Sequence, residues 1–248
     1  MRTRNLAASV LLLIAPGVMR AQDAPAPLVT DRPDQTESSL TVPKTTVQIE
    51  TGWTITGFGG VQSQALLSTL VRYGAGPSAE LRVGFGGLNR TPAGTWQAGD
   101  FMVGFKQRVY AGEGKVPSIA VLVHAVIPTG GGRFLPNGRV SLSHELSEKV
   151  GLGYNLGVSA FDGGTQTDLE LIYTATAGIS VAEQVGFFAE VFGNTPFNDP
   201  ASNGTSVDGG FTFLLSPRVQ LDVSGGVGVT ATAPDWFFGA GFSIRVPS

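Results

Sequence analysis

The chain has 248 residues, 42% of them hydrophobic and only 14% charged, and its mean hydropathy is +0.16. This apolar share excludes intrinsic disorder, and a net charge of −3 argues against an electrostatic nucleic-acid binder. The lack of Cys excludes disulfides, thiolate metal sites and a Cys nucleophile; two His are too few for a His-rich metal site; and 35 Gly argue against a helical bundle, where each costs about 1 kcal/mol.

The N-terminus reads as a secretory leader. Arg2 and Arg4 precede a short apolar run from Leu6 to Val18, and Ala21 offers a small residue for cleavage. The run is shorter than the roughly 20 residues of a spanning helix. Removal of residues 1–21 would take Arg2, Arg4 and Arg20 with it and bring the net charge to −6. No later run is long and apolar enough for a spanning helix, so the mature chain is expected outside the cytoplasm without one. Residues 22–44, with Pro25, Pro27, Pro33 and Pro43, show no helical or strand period and are expected to form a periplasmic N-terminal arm.

From residue 45 to the end, apolar residues alternate with polar or tiny ones, the mark of strands with two unlike faces. Val47, Ile49, Trp53 and Ile55 oppose Gln48, Glu50, Gly52 and Thr54; Val121 and Val123 oppose Leu122 and His124; Phe242 and Ile244 oppose Ser243 and Arg245. The pattern predicts about twelve strands, near 46–58, 63–73, 79–87, 97–110, 117–127, 138–147, 149–159, 167–178, 184–193, 206–215, 218–228 and 236–246. It is weakest at 64–73, where Leu66 and Leu70 fall on the polar side. Short turns at 75–78, 147–149, 180–183 and 216–217, with a slightly longer one at 111–116, alternate with longer loops at 87–95, 129–137, 161–166 and 193–205. Short turns at one end and long loops at the other are the signature of an outer-membrane barrel. An even strand count puts both termini on the short-turn, periplasmic side.

Alternation alone fits a soluble sandwich or lipocalin-like barrel as well as a membrane barrel with apolar side chains outward. The polar face separates them. A water-facing sheet carries many large polar side chains; here that face is mostly Gly and Ser with isolated charges of both signs, which suits a crowded lumen. Aromatics such as Trp53, Tyr73, Phe101, Tyr154, Tyr173, Phe211 and Trp236 sit near strand ends, as membrane girdles do. The reading is all-β: a twelve-stranded antiparallel up-and-down transmembrane barrel over 45–248, in the outer membrane of a Gram-negative-type bacterium.

Residues 30–52, TDRPDQTESSLTVPKTTVQIETG, resemble the opening of a family of bacterial outer-membrane proteins named for the meta-cleavage pathway of phenol degradation. The matching positions are Asp31, Arg32, Pro33, Asp34, Thr36, Glu37, Ser38, Val42, Pro43, Val47, Gln48, Glu50 and Gly52. Arg72-Tyr73-Gly74, Glu80 to Gly84, Gly99-Asp100, Phe105-Lys106, Pro128 to Gly130, Glu190 and Gly239 to Arg245 are similar too. The family tends to end in an aromatic residue read by the barrel-assembly machinery, whereas this chain ends Val246-Pro247-Ser248. The resemblance implies a channel for hydrophobic or aromatic compounds.

Candidate chemistry lies in the lumen. The polar face carries Glu50, Arg72, Glu80, Arg82, Asp100, Lys106, Arg108, Glu145, Asp168, Glu170, Glu190, Asp208, Asp222 and Arg245. Such charges either set pore selectivity or form an ion-pair network that fills the bore. The arm stretch with Asp31, Arg32, Pro33, Asp34, Glu37 and Ser38 is read as a plug, a contact to periplasmic partners, or an arm ordered against the barrel mouth. No metal, cofactor or catalytic group is expected. A lipid-face hydrolase would need a nucleophile beside His144, which shares the outer face with Val140 and Leu142, and Gly130 to Gly132 lacks the ending of a phosphate loop. Two functions follow: passive passage of small molecules, aromatic or hydrophobic ones included, through outer-membrane lipid, or a non-conducting barrel that is structural or binds partners.

Overall fold

The computed structural model describes residues 28–113 and 116–246. The expected leader and the final Pro247-Ser248 lie outside them.

The strands are β1 (Val47–Phe58), β2 (Val61–Gly74), β3 (Ala79–Phe85), β4 (Leu88–Arg90), β5 (Trp96–Ala98), β6 (Phe101–Tyr110), β7 (Ser118–Ile127), β8 (Leu135–Glu145), β9 (Val150–Asp162), β10 (Thr167–Ala182), β11 (Val185–Pro196), β12 (Gly204–Ser216), β13 (Val219–Gly228) and β14 (Trp236–Val246). Each pairs antiparallel with its neighbours, and β1 pairs with both β2 and β14, so the sheet closes on itself. Closure leaves no unpaired edge, which is what lets a sheet cross lipid. The barrel has twelve staves: β4 continues β3, and β5 leads into β6. At that break Gly86 donates its N–H to Asp100 and Gly99 donates to Gly87, so the two staves stay bonded across it. Gly87 has φ +82°, and a Cβ there would strike the Leu66 carbonyl, so glycine is needed at this step.

The weak stretch of alternation has a local cause. Leu67 takes φ +58°, and the β1–β2 register shifts between Gly52 and Trp53. Below this bulge Leu70 pairs with Glu50 on the inner face; above it Leu66 pairs with Trp53 on the outer face. One extra residue flips the parity of everything beyond it. Several strands also run further than the apolar pattern. The expected loops at 87–95, 161–166 and 193–205 shrink to 91–95, 163–166 and 197–203. Ladder hydrogen bonds persist after the outer side chains leave lipid and lose their apolar signal.

The packing is inverted relative to a water-soluble protein. On β7, Ala120 and Leu122 point inward and are fully buried, while Val121 and Val123 are 41% and 51% exposed. On β6, Phe101, Val103 and Phe105 are exposed while Lys106 is fully buried. An apolar belt outside and charges inside is the pattern a lipid solvent selects.

Candidate functional site: an arm wound inside the barrel

Residues 28–44 enter from the short-turn end and lie within that half of the lumen. In chain order the arm meets the wall strand by strand. The Asp31 N–H donates to Glu50 on β1 at 2.9 Å, and Arg32 donates to Asp222 on β13 at 3.2 Å. The Gln35 N–H donates to Glu190 on β11 at 2.7 Å, and the Thr36 hydroxyl reaches Thr174 on β10 and Glu190. The Glu37 N–H donates to Asn155 on β9 at 2.8 Å, Ser39 to Ser143 on β8 at 3.2 Å, and Val42 to Glu80 on β3 at 2.8 Å. That sequence of strands is the order of staves around the barrel, so the arm makes nearly one circuit of the inner wall. The Ser38 N–H donates to Asp31 Oδ1 at 3.2 Å, which closes the circuit on itself. Ser141 donates to the Glu37 carbonyl, and Gln48 donates to that of Val29.

Inner-face glycines make room for this winding. Gly52 and Gly241 face each other across β1 and β14, and the Arg32 guanidinium lies against both. A Cβ at Gly74 would strike the Pro43 carbonyl. The peptide Arg32-Pro33 is cis.

The charges sort by sign around the wall. Arg72, Arg82 and Lys106 form a cationic wall on β2, β3 and β6, with Glu50 and Glu80 among them. The Arg72 guanidinium contacts Glu50 and Glu80 at 3.0 Å, and Arg82 contacts Glu80 at 2.8 Å. Three cations and two carboxylates leave one positive charge over. The arm brings two anions to this wall, Asp31 and Glu37. Asp31 lies 3.2 Å from Arg72, 2.6 Å from Arg82 and 3.0 Å from Lys106, and Glu37 lies 2.6 Å from Arg82. All five strand residues are 2% exposed or less. Buried ions this close need dense pairing, because removing them from water costs several kcal/mol each. Burial alone would raise the Asp31 carboxyl; Arg72, Lys106 and Arg82 together hold it well below the usual carboxylate range. The opposite wall is acidic: Glu190 and Asp208 are cross-strand partners on β11 and β12, with Asp222 on β13. There the arm presents Arg32, backbone N–H groups and the Thr36 hydroxyl.

The sequence candidates divide accordingly. Glu50, Arg72, Glu80, Arg82, Lys106, Glu190 and Asp222 meet the arm directly. Arg245 donates to Gln48 at 3.2 Å and supports the first of these. Asp100, expected in the lumen by parity, lies exposed at the break between β5 and β6 and accepts from the Thr129 N–H at 3.0 Å. Arg108 is half-buried toward the short turns and forms no ion pair among the described residues. Glu145 is exposed beside the 146–149 turn. Asp168 accepts from Gln166 and Glu170 from Asn194, both near the long loops. Asp34 faces a cavity of about 610 Å³ on the short-turn side of the arm. Ser141, Ser143 and Asn155 escaped the sequence reading; inward parity marks them, but uncharged polar side chains are common on that face. His144 meets Tyr154 at 2.8 Å on the outer surface.

The comparisons agree with this architecture. An outer membrane channel from Pseudomonas putida F1 matches with a TM-score of 0.63 at 11% identity, covering 84% of this chain and 98% of that one. The NanC porin matches with a TM-score of 0.59 at 11% identity, covering 81% and 100%. These likenesses show the fold alone. No curated protein matches the sequence. The family model described as "Putative MetA-pathway of phenol degradation" matches residues 30–246, from the arm to the last strand, and the chain belongs to this family of outer-membrane barrels.

Proposed function

We propose that the protein is an outer-membrane channel for passive passage of small molecules, aromatic or hydrophobic ones included, and that residues 28–44 act as its plug. The observation that carries this reading is the division of the lumen. A cavity of about 610 Å³ opens on the short-turn side of the arm and one of about 450 Å³ on the long-loop side, and Arg32 borders both. A chain that only needed a filled interior would place bulky side chains on its strands. This barrel instead carries glycines at Gly52, Gly74 and Gly241 and fills the space with a separate segment. A segment held at one end can leave without unfolding the barrel.

The ion-pair network favours a second reading, in which the arm never leaves and the barrel is structural or binds partners. Single-channel recording of refolded residues 22–248 in a planar bilayer separates the two, with and without residues 22–44. Conductance in the intact chain, or in the shortened chain alone, supports the channel. Silence in both, with insertion verified by heat-modifiable gel mobility, leaves the non-conducting barrel.

A further inference from the structure

The lumen on the long-loop side of the arm carries a cation that the ion-pair network leaves out. Arg139 on β8 has Leu122 and Gly157 as its cross-strand partners, so it shares the inner face with the fully buried Leu122. A Cβ at Gly157 would strike the Arg139 Cβ and the Gly138 carbonyl. The glycine leaves room for the long side chain to lie over β9. Arg32, Arg72, Arg82 and Lys106 all meet carboxylates. Arg139 meets none among the described residues. Its Nε reaches the Asn137 side-chain oxygen at 3.4 Å, beyond ordinary hydrogen-bond length. Its two terminal nitrogens have no acceptor among the described residues, and neither is sealed from the lumen.

Arg139 borders two cavities, the one of about 450 Å³ and a second of about 250 Å³. The second lies between strands β8 to β12, the arm residue Gln35 and the segment 229–235 that joins β13 to β14. That segment folds inward: Ala233 is only 5% exposed, and the Thr230 hydroxyl donates to the Asn203 carbonyl at 2.8 Å. Ile172, Phe192 and Ala233 give the cavity apolar surface, and Thr174, Ser206 and Gln35 give it polar groups. Among the described residues that line it, Arg139 is the one that carries a charge. Glu170, toward the long loops, accepts from Asn194 at 2.5 Å. Glu190 and Asp208 form the next inward pair toward the short turns and do not border the cavity.

An open guanidinium in a cavity without a carboxylate favours an anion. Its planar fork matches a carboxylate, which accepts two parallel N–H bonds at once. One guanidinium balances one negative charge, so a dianion would keep a charge unpaired. An inorganic ion would leave the apolar surface bare, whereas an organic body covers it. We propose that Arg139 binds the carboxylate of a small organic monoanion, whose body lies against Ile172, Phe192 and Ala233. The site rests on the channel reading for its purpose, as a station for such solutes on the long-loop side of the arm, but not for its chemistry.

The test uses refolded residues 22–248 in lipid nanodiscs with ¹⁵N-labelled arginine, the Arg139 side-chain resonances being assigned with an Arg139→Lys variant. Butyrate is the probe. Butyramide has the same shape without the charge, chloride has the charge without the body, and empty nanodiscs report partition into lipid. The expected result is a saturable shift of the Arg139 Nε and Nη resonances with butyrate, a much weaker one with chloride and none with butyramide. Equilibrium dialysis should show Arg139→Gln binding butyrate at least about tenfold more weakly, with heat-modifiable mobility verifying that the variant inserts. No saturable shift, an equal response to chloride or butyramide, or unchanged butyrate binding by the inserted variant would overturn the site. If Arg139→Gln does not insert, butyrate against butyramide on the parent chain decides alone. Conductance is read separately. A conducting chain that fails the titration overturns this inference alone; a chain that binds but never conducts overturns only the channel reading.

Discussion

Asp31 in the arm and Lys106 on β6 lie 3.0 Å apart, separated by 75 residues of sequence and both withdrawn from water. The contact brings the arm's most buried anion to the wall that lacks one. Glu50 and Glu80 leave Arg72, Arg82 and Lys106 one negative charge short, and Asp31 stands among all three. The arm is thus complementary to the barrel in charge as well as shape. Its anions face the cationic wall and its Arg32 faces Asp222 on the acidic one.

Asp31→Asn keeps the shape and removes the charge. Breaking a buried pair by neutralising one partner costs roughly 3–5 kcal/mol. Here the cost falls on arm docking rather than on the closed ladder, so the arm should be released roughly 100- to 4,000-fold more often. Limited proteolysis of the arm in nanodiscs should accelerate accordingly, while heat-modifiable mobility of the barrel stays as in the parent. Equal cleavage rates would show that Asp31 does not hold the arm.

The depressed Asp31 carboxyl sets the sign of a pH effect. A released arm titrates Asp31 near 3.9, and the docked arm titrates it well below that. The contribution of its charge is therefore complete above the released value and is lost only as pH falls from there through the docked value. The measurable quantity is the difference in arm release between the parent and Asp31→Asn, followed with a dye on Lys44→Cys in both. The gap should stay constant from pH 8 to about pH 5 and narrow only below about pH 4. A gap that closes between pH 7 and 5 would mean that Asp31 is not held in its charged form.

Gly52 and Gly241 seat the Arg32 guanidinium, so Gly52→Ala separates arm from barrel. The added methyl meets the far end of a flexible side chain, which can move aside. Arg32 would then lose Asp222, a partly exposed pair at 3.2 Å. That contact is worth roughly 1 kcal/mol or less, about fivefold in arm release. The barrel itself should hold or gain slightly in unfolding midpoint, because alanine narrows the unfolded chain. Loss of barrel stability without a change in arm release would contradict this assignment.

The barrel was legible in the sequence because lipid and lumen impose unlike chemistry on alternate residues. Val121, Leu122 and Val123 illustrate its limit: all three are apolar, and only their place in a longer alternation tells which side each faces. The bulge at Leu67 was visible only as a failure of the pattern at Leu66 and Leu70, since nothing local in a leucine announces φ +58°. The arm's path was illegible for a different reason. It has no period, and its bonds reach partners such as Glu190 and Asp222, up to 190 positions away. The charges could be assigned to the lumen one by one. Their separation into a cationic and an acidic wall depends on the order in which staves close, and Asp100 escapes parity because the stave breaks beside it.

The inverted packing predicts a cost that depends on depth in the membrane. Val123 lies mid-strand on β7 with 51% exposure, and Leu169 lies at the long-loop end of β10 with 47%. In water the two would be equivalent surface positions, and a lysine at either would cost nearly nothing. In a bilayer, Val123→Lys places an ammonium near the midplane, at about 2–4 kcal/mol, whereas Leu169→Lys reaches the interface at about 0–1 kcal/mol. Urea unfolding from phospholipid vesicles should rank the variants parent, Leu169→Lys, Val123→Lys in falling stability. Equal stabilities would mean that the exposed face of β7 meets water, and the barrel would then have to be read as a soluble one.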